Sequence, residues 1–221
     1  MEYIVKILNT EYISQDMKRF TVEKPKGYKF EPGQATELSI NTPELKNEKR
    51  PFTFTSLNNW DTLEFIIKIY EEHNGISKQL GRLKDGDELI VRDVWGAITY
   101  KGKGVFIAGG AGITPFIAIL RQLARDNQLE GHSLIYSNKT SKDVVLKEEF
   151  EKMLHGNFFT VFTRERIIGF LDKRIDEDYL KSTIRNFNQK FYLCGPEKFV
   201  KDLEAMFLNL GAQPESIIIE K

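Results

Sequence analysis

A single cysteine, Cys194, stands in the 221 residues of this chain. No disulfide can form within it. A cysteine-ligated iron–sulfur cluster and a structural zinc site each need several ligands, so neither can be built. The three histidines, His73, His132 and His155, are scattered and make no metal-ligand spacing. They read as solvated surface residues, and no metal is expected. No run of about 18 uncharged apolar residues occurs, so no transmembrane helix is expected. The opening stretch MEYIVKILNTEYISQDMKRF carries acids early and lacks a small-residue cleavage site, unlike a secretory leader. The two absences together make the cytoplasm the expected location. An excess of one charge is missing too: 32 basic residues balance 32 acidic ones. Nothing therefore advertises nucleic acid or a membrane surface as a partner. Internal repeats and low-complexity tracts are absent, and oligomeric state is not readable.

What is present falls into two rhythms. Residues 1–100 read as short strands with turns such as Pro32-Gly33 and Asp85-Gly86 between them. In the run from Thr62 to Tyr70, Leu63, Phe65, Ile67 and Ile69 share one wholly apolar face, which belongs against a core. Glu64, Ile66, Lys68 and Tyr70 share the other. Such a series predicts an antiparallel β-barrel. Residues 101–221 alternate strands with helices. The strands are expected at 105–108, 133–136, 158–162, 191–193 and 217–219. Helices are expected after 115, over 147–154 and over 197–210. That alternation predicts an α/β domain with a parallel sheet. The boundary between the two domains is placed near Lys101-Gly102-Lys103-Gly104.

The strand Val105-Phe106-Ile107-Ala108 runs into Gly109-Gly110-Ala111-Gly112-Ile113-Thr114-Pro115. Gly110 and Gly112 permit sharp turning and close approach of a ligand to the backbone. Thr114 is suited to an N-cap and Pro115 to the first helical position. A helix N-terminus there favours an anionic group such as a pyrophosphate. A glycine-rich turn with no ligand accounts for the same residues.

From this loop the chain resembles the ferredoxin–NADP reductase superfamily, and three further segments resemble it in the same order. Arg50-Pro51-Phe52-Thr53-Phe54-Thr55-Ser56 is similar to the family's flavin motif. The resemblance implies that Arg50 pairs with the flavin pyrophosphate, Phe52 lies against the isoalloxazine ring and Thr53 bonds near flavin N5. Phe52 departs from the family's usual Tyr and lacks its hydroxyl. Asn74-Gly75-Ile76-Ser77 is similar to the family's phosphate-binding turn, with Gly75, Ile76 and Ser77 at the FAD pyrophosphate and Ser77 capping a helix. Ile66, Ile67 and Lys68 fall on the strand the family uses to touch the flavin. Cys194-Gly195-Pro196 resembles the family signature that sets a thiol beside nicotinamide C4. Taken singly, a threonine- and phenylalanine-rich strand, a plain N-cap and a buried cysteine at a strand end explain these segments.

The resemblance implies a flavoprotein reductase that holds FAD, accepts hydride from NADPH (or NADH) and passes electrons to flavodoxin or ferredoxin. FAD is favoured over FMN because both pyrophosphate elements are present. No acid follows the second strand of the α/β half, where many NAD sites carry one. Lys139 and the pair Thr163-Arg164, with Arg166 nearby, suit a 2′-phosphate instead, although solvated charge at strand ends would look the same. The family's terminal aromatic is missing from Glu220-Lys221, and Glu220 is a candidate for proton handling. Lys24, Lys26, Lys29, Lys46 and Lys49 make either a docking face for an acidic carrier or solubilising charge. Three alternatives stay open: a reductase of free flavin, a reductase component of an oxygenase, and an electron-transfer subunit of a larger complex.

Overall fold

The computed structural model describes residues 1–72, 75–96, 98–167 and 174–220. Two compact units emerge. One comprises residues 1–99 with 114–122, the other residues 100–113 with 123–221.

In the first unit, β1 (Glu2–Tyr12), β2 (Met17–Glu23), β3 (Gln34–Ile40), β4 (Arg50–Thr53), β5 (Thr62–Lys68) and β6 (Glu88–Gly96) form an antiparallel sheet in the order β4-β3-β6-β1-β2-β5. The segment after β4 joins the two ends of that order. Phe54 N donates to Gln34 O, beside β3, and Thr55 N donates to Glu64 O on β5. The antiparallel barrel read from the strand series is what these residues build. Leu63, Phe65, Ile67 and Ile69 enter one core with Phe20, Leu38 and Phe54, as their alternation predicts. The opposite face of β5 departs from expectation, because Glu64 and Ile66 are buried as well. Helix α1 (Ile76–Arg82) follows β5. Lys18 holds its far end: buried, it donates from Nζ to Gly81 O at 2.9 Å and Leu83 O at 2.6 Å.

In the second unit, β7 (Gly104–Gly109), β8 (Ser133–Asn138), β9 (Phe158–Phe162), β10 (Lys190–Cys194) and β11 (Ile217–Ile219) are all parallel, in the order β11-β10-β7-β8-β9. Helix α2 (Thr114–Arg125) follows β7, and its residues 114–122 belong to the first unit; α3 (Lys147–Leu154), α4 (Glu177–Thr183) and α5 (Glu197–Asn209) alternate with the remaining strands. Short α4 was not legible in the sequence; the Asp176 side chain starts it by accepting from Tyr179 N. His132 corrects the reading of all histidines as surface groups. It is buried beside Tyr100 and Phe106, and its Nε2 lies 3.0 Å from Tyr100 Oη. Burial lowers its pKa, so the neutral ring is favoured. His155 is exposed, and His73 lies outside the described residues. Among the described residues no helix is long and apolar enough to cross a membrane, and no cluster of three or more His, Cys, Asp or Glu could hold a metal.

The strand order has a consequence for function. From β7 the chain moves outward on one side to β8 and β9, then returns to place β10 and β11 on the other side. The sheet therefore reverses direction between β7 and β10. In open parallel sheets, ligands bind at the carboxyl ends of the strands flanking such a reversal.

Candidate active site

Both loops that leave this reversal carry the residues singled out in the sequence. After β7 the chain winds Gly110–Ile113 into a 3-10 turn that runs directly into α2. Thr114 is thus the first helical residue rather than the cap before it, and Pro115 is the second. Gly110 has φ +54°, and a side chain built on it would meet nothing within 4 Å. Its hydrogen faces open space, as an approach by a ligand backbone or phosphate requires. Gly112 is different. A Cβ there would stand 2.3 Å from Cys194 O and 2.6 Å from Gly195 N. Gly112 is glycine because the β7 loop crosses the β10 loop at that point, rather than to admit a ligand. Ala111 is half-buried between the two.

Cys194 ends β10 at 5% exposure, followed by half-buried Gly195 and exposed Pro196, which caps α5. The Cys194 thiol donates to Glu220 Oε2 at 3.2 Å. Burial, and then the Glu220 carboxylate, push the thiol pKa far up, so it is a neutral S–H donor and not a nucleophile. The folded chain holds this proton more tightly than the unfolded one. The stability it contributes is therefore present below the ordinary thiol value of 9.0 and is lost as pH rises beyond it. Urea unfolding should show wild type losing stability relative to Cys194→Ala from about pH 9 upward, by up to about 1.4 kcal/mol per pH unit. Lys18 and Lys24 are common to both proteins and cancel in the comparison. A constant difference across pH 8–11 would refute the assignment.

At the ends of β8 and β9, Arg164 N donates to Lys139 O and Thr163 N to Asn138 O, both at 2.9 Å. Lys139 and Arg164 are thereby brought side by side along the backbone, and both side chains are exposed. Arg166 is also exposed. Two features here escaped the sequence. Glu165 accepts from Ser141 N at 2.5 Å, which places a carboxylate beside the end of β8. Asn138 Nδ2 is buried without a hydrogen-bond partner among the described residues. A buried donor is costly unless something accepts from it.

In the first unit, the motif at 50–56 is divided by burial. Arg50 and Pro51 are exposed, Phe52 is half-buried against the core, and Thr53 to Ser56 are buried. Arg50 Nη1 donates to Lys49 O, with Glu48 at 4.0 Å from Nη2. Phe54 stacks on Phe30 with centroids 4.1 Å apart, so this half of the motif is core. The side chains of Ile67 and Ile76 also belong to the core, and what they can offer a ligand is backbone. Ile66 is buried on the other face of β5. Lys68 pairs with Asp16 at 2.7 Å. Gly75 is the N-cap of α1 in extended conformation with no side-chain cap. Ser77, expected to cap, lies inside the helix at its second position, and Asn74 lies outside the described residues.

A buried ion pair in this unit is one that no motif announced. Glu64 Oε1 accepts from Arg121 Nη1 at 2.6 Å, Arg19 Nη1 lies 4.0 Å from Oε2, and the Arg121 guanidinium sits 5.2 Å from the Trp60 ring centre. Of the basic residues that make either a docking face or solubilising charge, Lys24 Nζ is engaged by Asn58 O and Trp60 O, and Lys49 pairs with Glu37.

Comparison with known proteins finds two domain families in the chain. The FAD-binding domain family matches residues 2–86, and the oxidoreductase NAD-binding domain family matches residues 106–205. The chain is 31% identical over 195 residues to NADH-cytochrome b5 reductase 1 of Debaryomyces hansenii, covering 81% of this chain and 66% of that protein. It thus spans about two thirds of that reductase's length. Among solved structures, the FAD/NAD-binding domain of a nitric oxide dioxygenase from Vibrio cholerae superposes with a TM-score of 0.87 at 21% identity, covering 97% of this chain and 96% of that one. A ferredoxin NADP+ reductase from Neisseria gonorrhoeae, solved with FAD and NADP bound, gives a TM-score of 0.83 at 21% identity, covering 95% and 92%. At such identity the likeness is one of fold.

Proposed function

Because the chain belongs to the ferredoxin–NADP reductase superfamily, we propose that it is an NAD(P)H-dependent flavoprotein reductase that holds FAD and feeds a small one-electron carrier protein. The observation that carries the reading is the crossing of the Gly112 and Cys194 loops at the sheet reversal, with Gly110 open beside it. FAD held there would supply the chemistry, acceptance of a hydride from the dinucleotide and one-electron release.

The protein's own residues bind and orient. The backbone of Gly110 to Thr114, at the start of α2, meets the dinucleotide pyrophosphate. Cys194, kept neutral and aimed by Glu220, lines the nicotinamide end without carrying charge into it. Arg50 supplies a fork of donors for the FAD pyrophosphate, helped by the amides around Gly75. Thr53 offers a hydroxyl and backbone to the ring, and Phe52 an apolar face. The fit is physical. Exposed Arg50 and open Gly110 suit anionic groups, and the Asn138 amide is a buried donor with no partner among the described residues.

NADPH is the reading favoured by Lys139 and Arg164, since charge-assisted bonds to a phosphate are worth about 1.5–3 kcal/mol each. Arg164→Ala should lower kcat/KM for NADPH by about 10–100-fold and for NADH by less than about threefold. Equal losses on both would remove Arg164 from the 2′-phosphate. A second reading, NADH, is favoured by Glu165, a carboxylate suited to ribose hydroxyls, and by the cofactor in the yeast relative's name. The wild-type ratio of the two kcat/KM values decides between them.

Flavodoxin and ferredoxin are the acceptors the sequence suggests, and a cytochrome b5-type haem carrier is the one the relative's name adds. Side-by-side assays of NAD(P)H-dependent reduction identify the acceptor. Fast reduction of added riboflavin or FMN by a colourless protein, with no carrier reduced, would replace this reading by the free-flavin one.

A further inference from the structure

Glu64 and Arg121 are 7% and 9% exposed. Burying a carboxylate and a guanidinium is tolerable only when their lone pairs and protons are met. Here one short segment meets them. Arg121 Nη1 donates to Glu64 Oε1 and, at 2.8 Å, to Thr55 O. Thr55 Oγ1 donates to the same Oε1 at 2.7 Å. Thr55 N donates to Glu64 O at 2.9 Å, and Ser56 Oγ accepts from Glu64 N at 3.0 Å. Every polar atom of Thr55 is thus fixed in direction. Two well-packed apolar side chains could fill the same volume at no loss of stability. They could not orient a carbonyl and a hydroxyl.

Thr53 is two residues upstream of Thr55 on the same extended segment, and Arg50 is three further. We propose that Glu64 and Arg121 are positioning residues for the flavin strand. By clamping Thr55 they set the direction and rigidity with which Thr53 and Arg50 meet FAD. This rests on the FAD reading above and deepens it, since it assigns a role to two charges that are not themselves part of a cofactor motif.

The test compares the full chain with two variants. Glu64→Leu combined with Arg121→Met removes both charges together, so that neither is left buried alone. Thr55→Val keeps the ion pair and the branched shape and removes only the hydroxyl. The double variant should retain the far-ultraviolet dichroism of wild type while its Kd for FAD rises about tenfold or more. The midpoint potential and the shape of the 450 nm band of the bound flavin should shift with it. Thr55→Val should raise the FAD Kd about threefold or more, and it carries the test if the double variant does not fold. Merely structural charges would leave Kd, potential and spectrum of folded variants at their wild-type values, and that result overturns the proposal. Wild type that takes up no FAD would instead sink the parent reading and this inference with it. Wild type that binds FAD, with variants that match it, sinks this inference alone.

Discussion

Gly112→Val abolishes dinucleotide-dependent turnover while leaving FAD uptake intact. The new Cβ falls 2.3 Å from Cys194 O, a backbone atom, and no side-chain rotation relieves the clash. Cys194 cannot retreat freely, because β10 is held on both sides, by β7 and by β11. The loop and the strand end must separate. Overpacking of this kind costs about 1–3 kcal/mol and occasionally more. In a chain of this size that lowers Tm by roughly 2–12 °C. The larger effect is on KM for NAD(P)H, expected to rise more than about 100-fold, because the displaced loop carries the amides of the anion site. Gly110→Ala is the matched control. Its φ of +54° makes alanine strained by about 1 kcal/mol, and the methyl enters open space. It should raise KM with little loss of Tm. If Gly112→Val binds dinucleotide as wild type does, the loop crossing has no part in the site.

Arg50→Ala produces the second large effect, on the other cofactor. The guanidinium is exposed, and the contacts it makes within the chain are with its neighbours Lys49 and Glu48. Its removal should therefore leave the Tm of the flavin-free chain within about 1 °C, since exposed ion pairs contribute little. Its pairing with a pyrophosphate is worth about 1.5–3 kcal/mol, so the FAD Kd should rise roughly 10–150-fold. Arg50→Lys keeps the charge but not the fork, and should recover only part. Titration of the flavin-free proteins by quenching of flavin fluorescence reads this directly. An unchanged Kd would show that the exposed start of β4 does not touch FAD.

These contrasts explain what could be read from the residues alone. The face of Leu63, Phe65, Ile67 and Ile69 was legible because strand periodicity is local, and burial follows from it. The βα alternation and the glycine loop were legible for the same reason. Glu64 was not. Alternation assigns it to the polar face of β5, and the partner that buries it, Arg121, is 57 residues away on α2. Gly112 was read for the right residue and a different cause, since its neighbour Cys194 comes close only when β7 and β10 pair. Ser77 suits a cap because Ser favours that position, yet α1 begins one residue earlier, at Ile76, with Gly75 before it. The Asn138 amide and the Glu165 carboxylate lie at strand ends whose pairing brings them to the candidate site. In each case local pattern fixed the element, and the contact depended on topology.

The most direct measurement is flavin stoichiometry and its reduction in one cuvette. The purified full chain, loaded with FAD and desalted, is titrated anaerobically with NADPH and then with NADH. The account predicts about one FAD retained per chain, with the 450 nm absorbance bleached by about one equivalent of the preferred dinucleotide. A chain that retains no FAD, or holds FAD that neither dinucleotide bleaches, would contradict it.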